Sequence, residues 1–152
     1  MKINQYKLIN NKKFKRGGLK RIAHTFKGIF PNNNIISERV LIRPPRRRDW
    51  RAWVELRIAS YEFLKKWEPY WEIEKCNRSS YMRQLRMQKT RAAYDQAYTF
   101  LCFTKIDKTL IGGINISNVE RGVMQTGNIG YWLGKEYVSH GYMFEAINSF
   151  LP

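Results

Sequence analysis

The spacing of apolar residues changes near residue 97 and divides the chain into a helical part and a strand-rich part. Before that point, apolar residues recur at helical spacing, at Trp50, Trp53, Val54, Ile58 and Tyr61. From Ala97 onward, "AYTFLCFTK" and "TLIGGINISNV" are rich in the aromatic and β-branched residues that favour strands. The pattern therefore predicts helices first and a group of strands afterwards.

A short strand precedes the helices. In "SERVLIRPP", residues 37–45, Val40 and Ile42 fall on one face of the predicted strand, which two prolines end. Asp49 is a candidate N-cap for the first helix, and Ser79 or Ser80 can cap a second one. The second helix has an uneven apolar side and many Arg and Gln residues facing outward.

The strand-rich part begins with a predicted hairpin, because Asp107-Lys108 forms a turn signal between the first two strand segments. A third strand, "TGNIGYWLG", follows another turn near Gly122. "GYMFEAINSF" then opens a helix on apolar Met143, Ile147 and Phe150. The predicted order is β, α, α, β, β, β, α.

The junction between that last strand and helix is the main candidate for chemistry. Unpaired N–H groups at a helix N-terminus attract anions, and Gly141 permits positive φ or close approach of a ligand. No acidic side chain lies between Val138 and Met143. The same order of strand, glycine and helix also occurs as ordinary structural punctuation, so a phosphate site is one of two interpretations here.

Charge is concentrated at the start of the chain. Of a formal net charge of +16, residues 1–36 carry +9 without any Asp or Glu, and the other 116 residues carry +7. We expect residues 1–36 to be a basic, flexible extension and 37–152 to be the folded part. The extension is either a flexible, solvated terminus or a non-specific contact to RNA, the ribosome or acidic lipid through phosphates.

The remaining composition narrows the class of protein. Two cysteines without CxxC spacing and two isolated histidines give no support for a metal site. No apolar run approaches the ~20 residues of a membrane helix, and no signal peptide is evident. We therefore expect a cytoplasmic location.

Four segments of the chain stand out together: "LIRPPRRRDW", "FLKKWEPYW", "LIGGINISNVERGVMQTGNIGYWLG" and "EYVSHGYMFEA". In this order they resemble segments of the GNAT family of N-acetyltransferases and, within it, of the RimJ/RimL branch, which acetylates protein N-termini. The resemblance covers about residues 37–152. Four ordered segments are far more specific than a single glycine motif.

The resemblance implies an α+β fold, three-layered, with a mixed and mainly antiparallel sheet between helices. Members of the family have another strand, another helix and a final hairpin after the third helix. We therefore expect this chain to contain the N-terminal portion of the domain and to be truncated at its C-terminal side, with the last strands and helix missing. The general acid is then expected beyond Pro152.

The family binds the diphosphate of acetyl-CoA in a loop of the form Q/R-x-x-G-x-G/A. By position, Val138 stands for Gln or Arg, Gly141 keeps the glycine, and Met143 takes the final small-residue place. Ser139 stands where many relatives have Gly. The resemblance thus implies the following cofactor-binding residues: Tyr131, Trp132, Leu133, Val138, Ser139, His140, Gly141, Tyr142 and Met143.

The resemblance also implies an activity, transfer of acetyl from the cosubstrate acetyl-CoA to the N-terminal α-amine of a protein, with a ribosomal protein as the expected acceptor. Asn118 and Tyr131 are placed near the acceptor as catalytic candidates. Trp67 and Glu68 are placed as a wall that recognises the peptide N-terminus, although Glu68 is as well explained as a solvated surface carboxylate. The alternatives are an inactive truncated remnant and a basic RNA- or ribosome-binding module.

Overall fold

The computed structural model describes residues 34–120 and 126–150, without the side chain of Phe150. The predicted basic extension lies almost wholly outside them, so its contact with RNA stays a prediction. Five strands form one antiparallel sheet in chain order: β1 (Ile35–Ile36), β2 (Val40–Arg43), β3 (Tyr98–Thr104), β4 (Leu110–Glu120) and β5 (Thr126–Leu133). The α-helices are α1 (Trp50–Ala59), α2 (Tyr61–Leu64), α3 (Arg78–Ala93) and α4 (Tyr142–Phe150).

Both faces of the sheet are covered, because alternate side chains of each strand point to opposite sides. Val40 and Ile42 belong to one apolar cluster, to which α4 contributes Met143 and Ala146. Leu41 belongs to a second cluster, on the face where α1 and α3 pack. The three-layer α+β architecture implied by the resemblance is confirmed.

The predicted hairpin is present as β3 and β4. Lys108 at its turn has a φ of 56°, and the Thr104 N–H donates to the Thr109 carbonyl at 2.9 Å. Strand β5 then pairs antiparallel with β4, with Ile114 opposite Tyr131. Among the described strands β5 has β4 as its single neighbour, so its other edge carries backbone groups that are not used in the sheet.

The two predicted helix caps have different outcomes: Asp49 occupies the N-cap position of α1 without a side-chain capping hydrogen bond, and the cap of α3 is a different residue. Asp49 does precede α1, but its carboxylate accepts hydrogen bonds from the Arg43 guanidinium at 2.8 and 2.7 Å and from the Arg46 N–H at 2.7 Å. Helix α3 begins earlier than predicted, because Asn77 is its cap and accepts from the Ser80 N–H at 3.1 Å. Ser80 lies inside the first turn, where its hydroxyl accepts from the Asn77 N–H.

Candidate functional site

The chain makes a tight connection between β5 and α4. Gly134 follows β5 and donates its N–H to the Ile111 carbonyl at 2.9 Å, and a 3-10 turn spans Lys135–Tyr137. Ser139 and Gly141 then adopt left-handed backbone conformations, with φ of 65° and 78°. These two residues turn the backbone so that α4 starts at Tyr142 immediately after the loop.

The left-handed conformations of Ser139 and Gly141 give this loop its unusual backbone geometry. Gly141 adopts them without steric cost, whereas Ser139 carries a Cβ atom in a conformation that usually favours glycine. Met143, which occupies the family's final small-residue place, is buried inside α4 and has an ordinary helical conformation. The substitution at Met143 therefore does not disturb the loop.

The start of α4 has N–H groups that are not used within the helix. The first N–H groups of a helix have no carbonyl partner within it, and the helix dipole adds partial positive charge there. The Glu145 N–H already closes the first turn onto the Gly141 carbonyl at 3.0 Å. The N–H groups that precede that of Glu145 lie next to the left-handed loop. These are the groups that a ligand could reach.

An ion pair that the sequence analysis missed ties this helix start to the β1–β2 turn. The Glu145 carboxylate accepts hydrogen bonds from the Ser37 hydroxyl at 2.6 Å, the Arg39 N–H at 2.6 Å and Arg39 Nε at 2.7 Å. The Arg39 guanidinium also donates to the His140 carbonyl at 3.2 Å and lies 4.9 Å from the centre of the Tyr142 ring. The only sequence signal was an acidic residue in the first turn of the last helix.

Strand β5 divides its side chains between the two faces of the sheet. Tyr131 and Leu133 pack in the cluster that includes α4, and Trp132 packs in the cluster that includes α1 and α3. The nine residues assigned to cofactor binding thus form two short runs, one on an edge strand and one at the start of the helix that follows. The structure brings them together in one strand, loop and helix unit.

The two catalytic candidates are not brought together. Asn118 is exposed and has a φ of 50°, at an irregularity of β4 between Ser117 and Glu120. Tyr131 is opposite Ile114, which lies four residues before Asn118 on β4, a separation of about 13 Å at the rise of an extended strand. The backbone therefore does not place the two residues side by side, and their catalytic roles stay predictions.

The alternative interpretation of Glu68 as a solvated carboxylate is wrong. Its side chain is 7% exposed and forms a two-point ion pair with Arg57, whose side chain is 12% exposed, at 2.8 and 2.5 Å. The Trp71 indole N–H also donates to Glu68 at 3.0 Å. Trp67 lies next to this pair in sequence, and its indole N–H is buried without a partner among the described residues.

Arg57 is the residue around which this part of the site is organised. Its guanidinium lies 5.4, 4.6 and 5.2 Å from the ring centres of Trp53, Trp71 and Trp132. It therefore joins α1, the loop that follows α2, and β5. The sequence did carry a signal, because Arg57 occupies a position on the apolar stripe of the first helix where a charged residue is unusual.

Two cavities meet at Arg57. One, of about 240 Å³, lies against the sheet and is lined by Asn115 and Trp132 among others. The other, of about 510 Å³, lies against the loop that contains Glu68 and Trp71. Both are on the face of the sheet opposite α4, so a ligand held at the start of α4 and one held in these cavities would approach β5 from different sides.

Other reactive groups of the described residues do not form a site. The thiols of Cys76 and Cys102 are buried, and burial raises the pKa of both, that of Cys102 to about 12, which disfavours the nucleophilic thiolate. Residues 34–120 and 126–150 contain no group of three or more potential metal ligands. None of the helices in these ranges has the length and hydropathy required to cross a bilayer.

Comparison with known proteins adds a family and several relatives. The profile of the acetyltransferase (GNAT) domain matches residues 39–152. The [ribosomal protein uS5]-alanine N-acetyltransferase of Escherichia coli (strain K12) is 32% identical over 124 residues, which cover 78% of this chain and 61% of that protein. The chain thus spans about three fifths of the length of the curated relatives that it matches.

Solved structures show the same fold. Mycobacterium smegmatis RimJ in complex with CoA-disulfide superposes with a TM-score of 0.66 at 26% identity, over 71% of this chain and 52% of that one. The ribosomal-protein-S5-alanine acetyltransferase of Vibrio fischeri superposes with a TM-score of 0.69 at 22% identity, over 77% of this chain and 64% of that one.

Replacing Arg57 by Met should lower the free energy of unfolding by about 3–5 kcal/mol, because it leaves the Glu68 carboxylate buried without its counter-charge. The double variant R57M/E68Q should recover much of this loss, since it removes both charges. Lys65→Met, which removes a surface cation paired with Glu62, serves as the control. Denaturation followed by tryptophan fluorescence measures all three, and a loss below about 1 kcal/mol for Arg57→Met would mean that the pair is effectively solvated.

Glu145→Gln should destabilise the protein in a pH-dependent way. Burial alone would raise the pKa of Glu145, but the hydrogen bonds and charge from Ser37 and Arg39 outweigh it and lower the pKa below its usual range. A lowered pKa contributes stability above the unfolded-state value of about 4.3 and loses it as the pH falls further. Urea denaturation should show a stability difference from wild type at pH 7 that shrinks below pH 4.3, whereas exposed Glu55→Gln should show little difference at either pH. A difference that stays constant with pH contradicts this assignment.

Proposed function

The chain belongs to the acetyltransferase (GNAT) family, and from this premise we propose that it transfers an acetyl group from acetyl-CoA to the N-terminal α-amine of a protein. A ribosomal protein is the proposed acceptor. The E. coli relative supports this choice by its name, and the mycobacterial RimJ structure supports the cosubstrate because it contains CoA.

The observation that carries the proposal is the continuous path formed by β5 and the start of α4. In the proposed complex, the diphosphate of acetyl-CoA accepts hydrogen bonds from the N–H groups at Tyr142 and the loop before it. The pantetheine arm then runs along the outer edge of β5, from Leu133 towards Tyr131, and pairs with backbone groups that β4 does not use.

Arg39 completes the diphosphate site in this proposal. The family motif places Gln or Arg at the position of Val138, which has no polar group. The Arg39 guanidinium reaches the same loop from the β1–β2 turn, and its Nη2 atom lies 3.4 Å from where a Cβ of residue 141 would stand. It therefore places guanidinium N–H donors beside the loop, while Glu145 balances its charge and holds its orientation.

The proposed reaction is direct attack of the neutral α-amine on the thioester carbonyl. The C–N bond forms and the C–S bond breaks, the amine loses a proton to a base or a water chain, and the CoA thiolate takes up a proton. Backbone N–H groups of β5 stabilise the developing oxyanion. Tyr131 keeps its proposed place on the part of β5 where the thioester and the amine meet, with its side chain on the α4 face. Asn118, about 13 Å further along the sheet, would contact a more distant part of the acceptor.

Trp67 and Glu68 contribute to the acceptor wall in a different way from the one that the sequence suggested. The Glu68 carboxylate is already bound by Arg57 and Trp71, so it has little capacity left for a substrate ammonium group. Its proposed role is to hold the loop after α2 against Trp132 and thereby to shape the cavities at Arg57.

Replacing Gly141 by Val tests the diphosphate site. A β-branched residue strongly disfavours the φ of 78°, and its side chain would be directed at Arg39, so acetyl-CoA binding should fall below detection. Isothermal titration calorimetry measures the affinity. Gly127→Val is the matched control, because that residue lies in β5 where a Cβ meets only ordinary contacts at 3.6 Å or more. If wild type binds acetyl-CoA and Gly141→Val binds it equally well, the diphosphate lies elsewhere.

A further inference from the structure

A groove continues from the cavity at Trp132 across the sheet. That cavity, of about 240 Å³, shares Pro45, Gln88 and Thr99 with a second cavity of about 230 Å³ that opens beside Pro44. Each is smaller than the ~300–1,000 Å³ typical of a site that encloses a whole small ligand. Together they form one path, called here the acceptor groove, that fits an extended polymer better than a compact molecule.

The far end of the acceptor groove is strongly basic. Arg46, Arg47 and Lys89 line it, and none of them forms an ion pair with a residue that the structure describes. No acidic residue lines either cavity. Helix α3, which forms one wall, has no Asp or Glu within Arg78–Ala93. The nearest carboxylate on this side, that of Asp49, is bound by the Arg43 guanidinium and by the Arg46 backbone N–H. The side chains of Arg46, Arg47 and Lys89 are therefore available to an acidic group of a ligand.

The length of the groove follows from the sheet. The path leads from Trp132 on β5 across β4 and β3 to Pro44, which directly follows β2. Three spacings between neighbouring strands amount to about 14 Å, which an extended peptide covers in about four residues. A chain whose first residue lies at Trp132 therefore brings its fourth or fifth residue to the basic end.

We propose that the acceptor groove holds the first residues of the acceptor polypeptide and selects an acidic side chain at its fourth or fifth position. This inference rests on the proposed function, because it places the reacting amine near Trp132. Gln84, Gln88 and Asn115 line the groove near that end and can hydrogen-bond to the peptide backbone. Arg46, Arg47 and Lys89 then bind the acidic side chain.

The lining of the basic end favours a peptide over single-stranded RNA. Sites for single-stranded nucleic acids combine a basic surface with aromatic rings on which bases stack. The basic end has two prolines, Leu85 and polar side chains but no aromatic residue. The aromatic residues of the groove, Trp53, Tyr81 and Trp132, line the other cavity and not the basic end. Its chemistry is that of a carboxylate-binding site on an apolar floor.

The test uses the full chain and three fluorescent peptides that begin with alanine and carry two glutamates, two glutamines or two lysines at positions four and five. Anisotropy at low salt should show that the glutamate peptide binds about tenfold more tightly than the lysine peptide, because its two carboxylates form exposed charge pairs with the basic end. R47E/K89E should reverse this preference. K66E/K105E, which changes two exposed lysines elsewhere by the same charge, should keep it.

The result that overturns the inference is a lack of charge preference in wild type, an unchanged preference in R47E/K89E, or no measurable binding of any peptide. Single-stranded RNA that displaces the peptide, and loses more affinity than the peptide in R47E/K89E, would assign the surface to nucleic acid instead. Acetyl transfer is measured separately on the same peptides. If the peptides bind with a charge preference but are not acetylated, the acceptor groove is supported and the proposed function is contradicted. If they are acetylated without a charge preference, the proposed function is supported and the acceptor groove is contradicted.

Discussion

The buried ion pair between Arg57 and Glu68 is the contact on which the face of the sheet that carries α1 and α3 depends. Taking both charges out of water is costly, and the pair is tolerated because the guanidinium meets the carboxylate at two points and lies near three tryptophan rings. A buried pair of this kind contributes little net stability, but it has few alternative arrangements. It therefore fixes the loop after α2 relative to α1 and β5.

A second ion pair does the same for the other side of the sheet. Arg39 and Glu145 hold the start of α4 against the β1–β2 turn, with Ser37 completing the contact. Strand β5 lies between the two ties, because Trp132 contacts Arg57 on one face and the loop after Leu133 leads to Glu145 on the other. In the proposed reaction two ligands meet at β5, and each side of the sheet is held by its own ion pair.

The elements that local pattern determines could be predicted from the sequence, and the contacts between distant residues could not. The alternation of side chains along a strand placed Val40 and Ile42 on one face of β2, and the turn signal at Asp107-Lys108 predicted the β3–β4 hairpin. Both could be predicted because the side-chain period and the turn residues are local properties of the sequence. Asn77 was missed as a cap because two serines follow it closely and have similar propensity.

The sequence gives weaker signals for ion pairs between residues that lie far apart along the chain. Arg39 and Glu145 are 106 positions apart, and the sequence around either residue does not indicate the other as its partner. Arg57 was visible as a charge on an apolar stripe, but its partner Glu68 lies in a loop, where a carboxylate is usually solvated. Gly141 was correctly singled out because one residue type carries most of the information about positive φ. The assignment of that loop to acetyl-CoA came from the resemblance and not from the residues alone.

The location of the transferred acetyl group tests the central claim most directly. The chain is incubated with acetyl-CoA and a peptide that has both a free α-amine and an internal lysine, and fragment mass spectrometry then locates the modification. The account predicts acetyl on the α-amine and no product from the same peptide with a blocked N-terminus. Acetyl found on the lysine, or on neither amine while acetyl-CoA is shown to bind, would contradict it.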